Sequence, residues 1–213
     1  MKSWRGFLAT ALAALGFCLA LAVGAPELKE GRDFRVINPP LAAAKDKIEV
    51  TEFFWYGCPH CFDFEPVLAA WVKKLPANVS FRRVPAISSN DKWVAAARLY
   101  YTSEAMNLGE KMHGDVFNAI HVDHLRLHDE KVLFEWVAKK GVDAKKFSEA
   151  WASSGVQSRI QQARELTQDS GLAGVPAVMV QGRYLTPTQG NYEDLIAVIE
   201  QLVERVRAET GIR

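Results

Sequence analysis

The chain has 213 residues, a length that suits one domain or one domain carrying a large insertion. Its 26 basic residues nearly balance its 25 acidic ones, and no basic stripe or cluster occurs, so we expect no nucleic-acid partner. Only three cysteines are present, which excludes a scaffold held together by several disulfides.

Residues 1–24 have the features of a secretory signal peptide. A short basic start is followed by an uncharged apolar run from Gly6 to Val23 and by small residues around Ala22, Gly24 and Ala25. We expect cleavage near residues 22 to 25. The alternative is an uncleaved membrane anchor, because the run approaches spanning length.

Cleavage would leave one close pair of cysteines. Cys18 lies within the apolar run, so the exported chain retains only Cys58 and Cys61. In an exported protein, a single pair at this spacing indicates a reactive rather than a structural disulfide.

After the leader, the pattern alternates between strands and a helix. A β-branched and aromatic stretch, Ile48 to Tyr56, predicts a strand that Gly57 ends. Pro59 suits the first turn of the next helix, which should end before Pro76 and be kinked at Pro66. Shorter strands are predicted at 34–37 and 79–84.

The second half of the chain is mostly helical. Apolar residues recur at helical spacing over residues 90–168 and predict several helices. Strand character returns at Pro176 to Val180, and a Gln181–Gly182 turn leads into another short strand. The last element is an amphipathic helix from Tyr192 to about Glu209, with Asn191 as its N-cap.

This order predicts two domains after the signal peptide. A sheet whose first and last parts flank a continuous helical block indicates an α/β domain with a helical insertion. We assign residues 25–89 and 169–213 to the α/β domain and residues 90–168 to the inserted helical domain.

The most informative motif is Cys58-Pro59-His60-Cys61, at the junction of a predicted strand and a predicted helix. Two thiols at this spacing can close into a small, reversible disulfide. The positive end of the helix dipole favours the thiolate of Cys58, which is the species that exchanges disulfides. His60 would stabilise this thiolate further; the alternative is an exposed loop histidine without a role.

These features together resemble the thioredoxin superfamily. A strand, the cysteine pair, a helix containing Pro66 and a later strand opened by Val175-Pro176 occur in the same order there. The long interval between Cys61 and Pro176 and the dipeptide Pro59-His60 are similar to the DsbA-type thiol:disulfide interchange proteins. Further matches to that family are Glu52-Phe53-Phe54, Gly174-Val175-Pro176-Ala177 and the Gly182-x-Tyr184 hairpin.

The resemblance implies an α/β thioredoxin fold with an inserted all-helical domain, and a periplasmic oxidoreductase. Such an enzyme donates its Cys58–Cys61 disulfide to reduced, newly exported proteins. Cys58 forms the mixed disulfide with the client, and Cys61 is its internal partner. We expect a monomer without metal or organic cofactor, reoxidised by a membrane quinone-linked partner resembling DsbB.

Four further residues are predicted to support this site. In the family, an acid at the position of Glu52 is buried beneath the cysteines and pairs with a lysine, for which Arg83 (or Arg82) is the nearest match. Because arginine holds its proton, a proton relay here would be altered; the alternative for Glu52 is a solvated strand edge. Val175 would offer main-chain groups to an extended peptide, and Pro176 should follow a cis peptide bond, with an ordinary trans proline as the alternative.

Other functions remain open at this point. An isomerase or reductase on the same fold needs a reducing poise or a dimerisation region, and the residues before Phe34 are too few and too polar for one. A non-catalytic chaperone or metal-handling protein would not need Cys58. His121, His124 and His128 could suggest a metal site, but we expect them to form a solvated helical face.

Overall fold

The protein is described here by a computed structural model that covers residues 27–187 and 191–212. The predicted signal peptide, including Cys18, lies outside the described residues. The elements in chain order are β1 (Arg35–Val36), β2 (Ile48–Phe54), α1 (Pro59–Val72), β3 (Val79–Pro85), α2 (Asp91–Ala105), α3 (Gly109–His121), α4 (Glu130–Lys139), α5 (Ala144–Trp151), α6 (Ser154–Ser170), β4 (Ala177–Val180), β5 (Tyr184–Leu185) and α7 (Tyr192–Thr210). This is the predicted order of strands and helices.

The strands form one mixed sheet in the order β1-β5-β4-β2-β3. β2 pairs with β3 in parallel and with β4 antiparallel, so β2 has a neighbour on both sides. The β2–β3 register places Glu52 opposite Arg83. The central position of β2 fixes the start of α1, where both motif cysteines lie.

Helices cover both faces of the sheet and bury its apolar side chains. On one face, Phe64 of α1 and Ile199 of α7 pack with Val50 of β2. On the other, Phe53 and Phe54 of β2 belong to a buried cluster that also contains residues from α2 to α6, such as Phe117 of α3. The helices between β3 and β4 therefore share their core with the sheet.

Several local predictions are confirmed by the backbone. The β4–β5 turn has positive φ at Gln181 (53°) and Gly182 (63°), the geometry of a tight hairpin. A Cβ at position 182 would lie 2.2 Å from the Leu41 carbonyl oxygen, so this turn needs glycine. The Asn191 side chain accepts a hydrogen bond from the Glu193 N–H and caps α7.

One detail differs from the prediction. β2 ends at Phe54 rather than Tyr56, because the chain turns there and the Cys58 N–H donates to the Trp55 carbonyl oxygen at 2.9 Å. Pro66 lies inside α1, as expected, and the helix continues past it to Val72. Within the described residues, no helix combines the length and apolarity needed to cross a membrane.

Candidate active site

Cys58 is the N-cap residue of α1, and Pro59 occupies the first turn of that helix. Proline fits there because the first helical N–H groups have no intrahelical acceptor. Both cysteines are free thiols, and Cys58 is 8% exposed whereas Cys61, one turn further along, is fully buried. A partner can therefore reach only the Cys58 sulfur directly.

The two thiols have opposite acidities. The pKa of Cys58 is lowered to about 6, mainly by a hydrogen bond from the Cys61 thiol. Smaller contributions come from the backbone N–H groups of Cys61 and His60 and from the charge of His60. Burial acts in the opposite direction and raises this pKa. Burial, followed by the hydrogen bond to Cys58, raises the pKa of Cys61 far above its ordinary value. At neutral pH, Cys58 is thus a thiolate and Cys61 a thiol.

The loop before β4 lies against the reactive sulfur. Val175 and Pro176 are joined by a cis peptide bond, as the resemblance implied. The Cys58 Sγ lies 3.4 Å from the Val175 carbonyl oxygen, which accepts a hydrogen bond from the thiol form of Cys58. Pro176 is buried and Val175 is half-buried. The site therefore brings Cys58, Cys61, Val175 and Pro176 together from two distant parts of the chain.

Pro59 and His60 are both exposed. His60 is two residues after Cys58 in the chain. Its charge is the smallest of the named causes that lower the Cys58 pKa. The main stabilisation of the thiolate instead comes from Cys61 and from the first N–H groups of α1.

Glu52 and Arg83 lie side by side in the protein interior. Glu52 is 1% exposed, so the alternative of a solvated strand edge is wrong. Its Oε2 lies 3.2 Å from Arg83 Nε, although the two atoms are not aligned as a hydrogen bond and have no other hydrogen-bond partner among the described residues. Burial raises the pKa of Glu52 to about 8, against the opposing charge of Arg83. Arg82 instead pairs with Glu49 at 3.0 Å.

Arg83 extends this pair into a network that was not predicted from the sequence. Arg83 Nη2 donates to Glu65 Oε1 at 2.8 Å, and Glu65 Oε2 lies 3.2 Å from His113 Nε2. His113 Nδ1 is 2.9 Å from the Tyr56 hydroxyl. Burial lowers the pKa of His113, so its neutral ring donates to Glu65 through Nε2 and accepts from Tyr56 at Nδ1.

One signal for this network was present in the sequence. Glu65 follows Cys61 by four residues, so both lie on the same face of α1. Burial opposes ionisation of Glu65, but His113 and Arg83 outweigh it and lower the pKa of Glu65. No spacing rule points to His113, because it is on α3, in the helical block.

The expectation of a helical face with three histidines is wrong. α3 ends at His121, and His124 and His128 lie exposed in the loop that follows. His121 Nε2–H donates to the Tyr56 carbonyl oxygen at 2.8 Å, and its ring stacks on Phe62 with centroids 4.9 Å apart. Across the described part of the chain, no cluster of three or more His, Cys, Asp or Glu residues could hold a metal ion.

The geometry suits disulfide exchange. It combines an accessible thiolate, a buried thiol one helical turn away and a main-chain carbonyl beside the reactive sulfur. An attacking thiolate needs an accessible sulfur with a good leaving group, and a thiol of low pKa leaves readily.

Comparisons with known proteins agree with this chemistry. The family model of the DSBA-like thioredoxin domain matches residues 75–197, more than half of the chain. A Burkholderia cepacia protein called "Thiol:disulfide interchange protein DsbA" is 41% identical over 185 residues, which cover 85% of this chain and 87% of the relative. The protein of the same name from Pseudomonas aeruginosa is 33% identical over 207 residues, 96% of this chain and 98% of the relative.

Solved structures show the same fold. The crystal structure of Pseudomonas aeruginosa DsbA has a TM-score of 0.80 at 34% identity and covers 85% of this chain and 95% of its own. That of the oxidoreductase DsbA from Xylella fastidiosa has a TM-score of 0.79 at 30% identity and covers 85% and 98%. This protein therefore belongs to the DSBA-like thioredoxin family, and it is a thiol:disulfide oxidoreductase.

Proposed function

We propose that this protein is a disulfide oxidase that transfers the Cys58–Cys61 disulfide to reduced proteins newly exported to the periplasm. The observation that carries this direction is the low pKa of Cys58, about 6. A stabilised thiolate favours the reduced enzyme over the disulfide form, and an enzyme whose reduced form is favoured gives its disulfide away.

The proposed reaction has two exchange steps. A client thiolate attacks the Cys58 sulfur, the Cys58–Cys61 bond breaks, and the Cys61 sulfur takes up a proton. A second client thiolate then attacks the client sulfur of the mixed disulfide, and Cys58 leaves as a thiolate. The client is oxidised by two electrons, and the enzyme ends as one thiol and one thiolate.

Glu52 is proposed as a proton source for Cys61. With a pKa of about 8 its carboxyl is mostly protonated at neutral pH, and its charge, when present, contributes to raising the pKa of Cys61. Arg83 is proposed as its positioning partner, and because arginine does not release its proton, any relay would run through the carboxyl group.

Val175, Pro176, Pro59 and His60 are proposed to bind and orient the client. The Val175 carbonyl oxygen is 3.4 Å from Cys58 Sγ, within reach of the main chain of an extended peptide bonded to that sulfur. Pro59 and His60 are exposed and directly follow Cys58 in the chain, and the His60 charge supports the thiolate.

The cellular setting is also a proposal. The amino-terminal apolar segment supports export to the periplasm, and the DsbA relatives support a reoxidant of the DsbB kind, a membrane protein linked to quinones. We propose a monomer in which the redox-active disulfide, without metal or organic cofactor, carries the reaction.

The test is stoichiometric oxidation of a reduced, unfolded client by the oxidised protein, with Cys58→Ser and Cys61→Ser as variants. We expect the wild type to oxidise about one dithiol per enzyme and both variants to oxidise none. A client that remains reduced in the presence of the wild type would contradict the proposal. Undiminished suppression of client aggregation by Cys58→Ser, without any oxidation by the wild type, would indicate the chaperone alternative.

A further inference from the structure

The chain turns between β2 and α1 at residues 55–58, which we call the active-site turn. A cavity beside this turn is not used by the chemistry described above. It has a volume of about 320 Å³ and lies between α2, the end of α3 and the loop that follows α3. Gly57, which is bonded to Cys58, forms part of its wall, and Trp55, Leu99 and Ile120 contribute apolar surface. A cavity at the small end of the range for ligand sites suits one large side chain.

The wall nearest the cysteines is preformed. Trp55 stacks on Trp93 with ring centroids 4.5 Å apart and planes within 7°. A Cβ at position 57 would lie 2.4 Å from the Trp55 ring, so Gly57 allows this ring to lie across the turn. The hydrogen bond of His121 to the Tyr56 carbonyl oxygen holds the same turn against α3.

The rim of the cavity is basic. Lys92 of α2 and Arg126 of the loop line it together with His124 and His128, and no described lining residue is acidic. The same loop carries Val122, which is 59% exposed and is the large apolar side chain most open to solvent in the described residues. Two of the histidines that had no role in the sequence analysis thus border a site next to Cys58.

We propose that this cavity binds a large apolar side chain of the client polypeptide, close in sequence to the reacting cysteine and flanked by acidic residues. The inference rests on the proposed oxidase function, in which a client must be held while its thiolate attacks Cys58. The apolar wall excludes water from the inserted side chain, and the basic rim is complementary to neighbouring carboxylates. The cavity would therefore select among clients, whereas the main-chain contact at Val175 would not.

The experiment measures second-order rates at which the oxidised protein oxidises two cysteine peptides and dithiothreitol. One peptide carries Phe and Glu within three residues of its cysteine on either side, and the other carries Ser and Lys there. Ala96→Phe fills the cavity from α2, and Lys92→Glu with Arg126→Glu reverses the charge of its rim. Matched controls outside the cavity are Ala138→Phe and the pair Lys139→Glu with Lys146→Glu, all at exposed positions.

We expect each cavity variant to slow oxidation of the Phe/Glu peptide by about tenfold, less than the full effect of burying one phenyl side chain. The rates with the Ser/Lys peptide should not fall, and the rate with dithiothreitol and all rates of the control variants should equal those of the wild type. Because the rim variant changes exposed residues only, it tests the site even if Ala96→Phe does not fold.

Three results would overturn the inference. The first is an unchanged rate with the Phe/Glu peptide in both cavity variants, and the second is an equal loss with dithiothreitol, which would place the effect on the cysteines. The third is a wild-type dimer that Ala96→Phe converts to a monomer in sedimentation, which would make the cavity an interface between copies. A wild type that oxidises neither peptides nor dithiothreitol would instead refute the oxidase function itself.

Discussion

Cys58 and Cys61 are three positions apart, yet their surroundings differ in almost every respect. Cys58 is at the N-cap, where the backbone N–H groups of Cys61 and His60 contribute to lowering its pKa and a partner can reach its sulfur. Cys61 is fully buried, and its thiol donates to Cys58, so it stabilises the neighbouring thiolate while remaining protonated itself. The positions of the two cysteines at the start of α1 therefore make Cys58 the reactive thiolate and Cys61 the buried thiol.

The protonation state of the buried Glu52 carboxyl can be tested through the pH dependence of stability. Its pKa of about 8 lies above its ordinary value of 4.5, so the stability associated with its neutral form is fully present below pH 4.5 and is lost as pH rises through 8. We expect the melting temperature of the oxidised wild type to fall between pH 5 and pH 9 relative to that of Glu52→Gln. In the oxidised protein the two cysteines form a disulfide and have no titratable thiol, so they do not contribute to the pH dependence of the melting temperature.

Glu49→Gln is the matched control for this measurement. Glu49 is on the same strand and pairs with Arg82 rather than Arg83, and its side chain is 16% exposed. Its substitution should leave the pH dependence of the wild type unchanged. Parallel curves for the wild type and Glu52→Gln would contradict the buried, mostly neutral carboxyl.

At the scale of elements, the turn between β2 and α1 is held from outside by α3. The His121 ring donates to the Tyr56 carbonyl oxygen at 2.8 Å and stacks on Phe62. His121→Phe would keep a stacking ring and remove the hydrogen bond. We expect a loss of about 1 kcal/mol in the free energy of unfolding, the usual net value of one hydrogen bond, and faster amide exchange at Gly57 and Cys58.

His128→Ala serves as the control for that change. His128 is exposed in the loop after α3, so its loss should alter neither stability nor exchange. If the amides of Gly57 and Cys58 exchanged in His121→Phe at the wild-type rate, α3 would have no part in holding the turn.

The elements themselves were predictable to a large extent, and the exception is instructive. The strands around Cys58 and the cap at Asn191 follow from residue types with strong local preferences, whereas the cis peptide bond before Pro176 was expected from the family resemblance. The end of α3 at His121 could not be predicted, because no glycine or proline directly follows it in the sequence. Instead His124 adopts a positive φ of 56°, and the chain turns so that Leu127 is buried.

At the scale of the molecule, the sheet and the helical block are joined by one buried cluster. Phe117 of α3 packs against Tyr56 with ring centroids 5.0 Å apart, edge to face, and is 1% exposed. We expect Phe117→Ala to lower the free energy of unfolding by about 3–5 kcal/mol. Because the core is shared, far-UV circular dichroism and tryptophan fluorescence should report a single transition at the same denaturant concentration.

Phe134→Ala is the comparison for this prediction. Phe134 packs edge to face against Phe147 at 5.4 Å, within the helical block, and is only partly buried, so a smaller loss is expected. The predicted helical domain, residues 90–168, would instead be an independent unit if Phe117→Ala separated the helical signal from that of the sheet.

The long-range network shows where reasoning from sequence ends. Glu52 and Arg83 could be anticipated from the family, and Glu65 from its helical spacing to Cys61. His113 and Tyr56 are 57 residues apart and meet at 2.9 Å, a contact that depends on how α3 packs against the active-site turn. The basic cavity arises in the same way, from residues of α2 and of a loop that no local pattern connects.

The central claim is that the reduced enzyme is favoured because Cys58 is a stabilised thiolate. Its most direct test is the equilibrium of the Cys58/Cys61 pair with glutathione, followed by tryptophan fluorescence from pH 4.5 to pH 8.5, since Trp55 adjoins the pair. We predict a reduction potential well above that of glutathione at pH 7. Above pH 6 the potential should fall by about 30 mV per pH unit, because reduction takes up one proton. Below pH 6 it should change more steeply with pH, because reduction then takes up a second proton. A potential well below that of glutathione, without a change of slope near pH 6, would make the protein a reductant or isomerase and contradict this account.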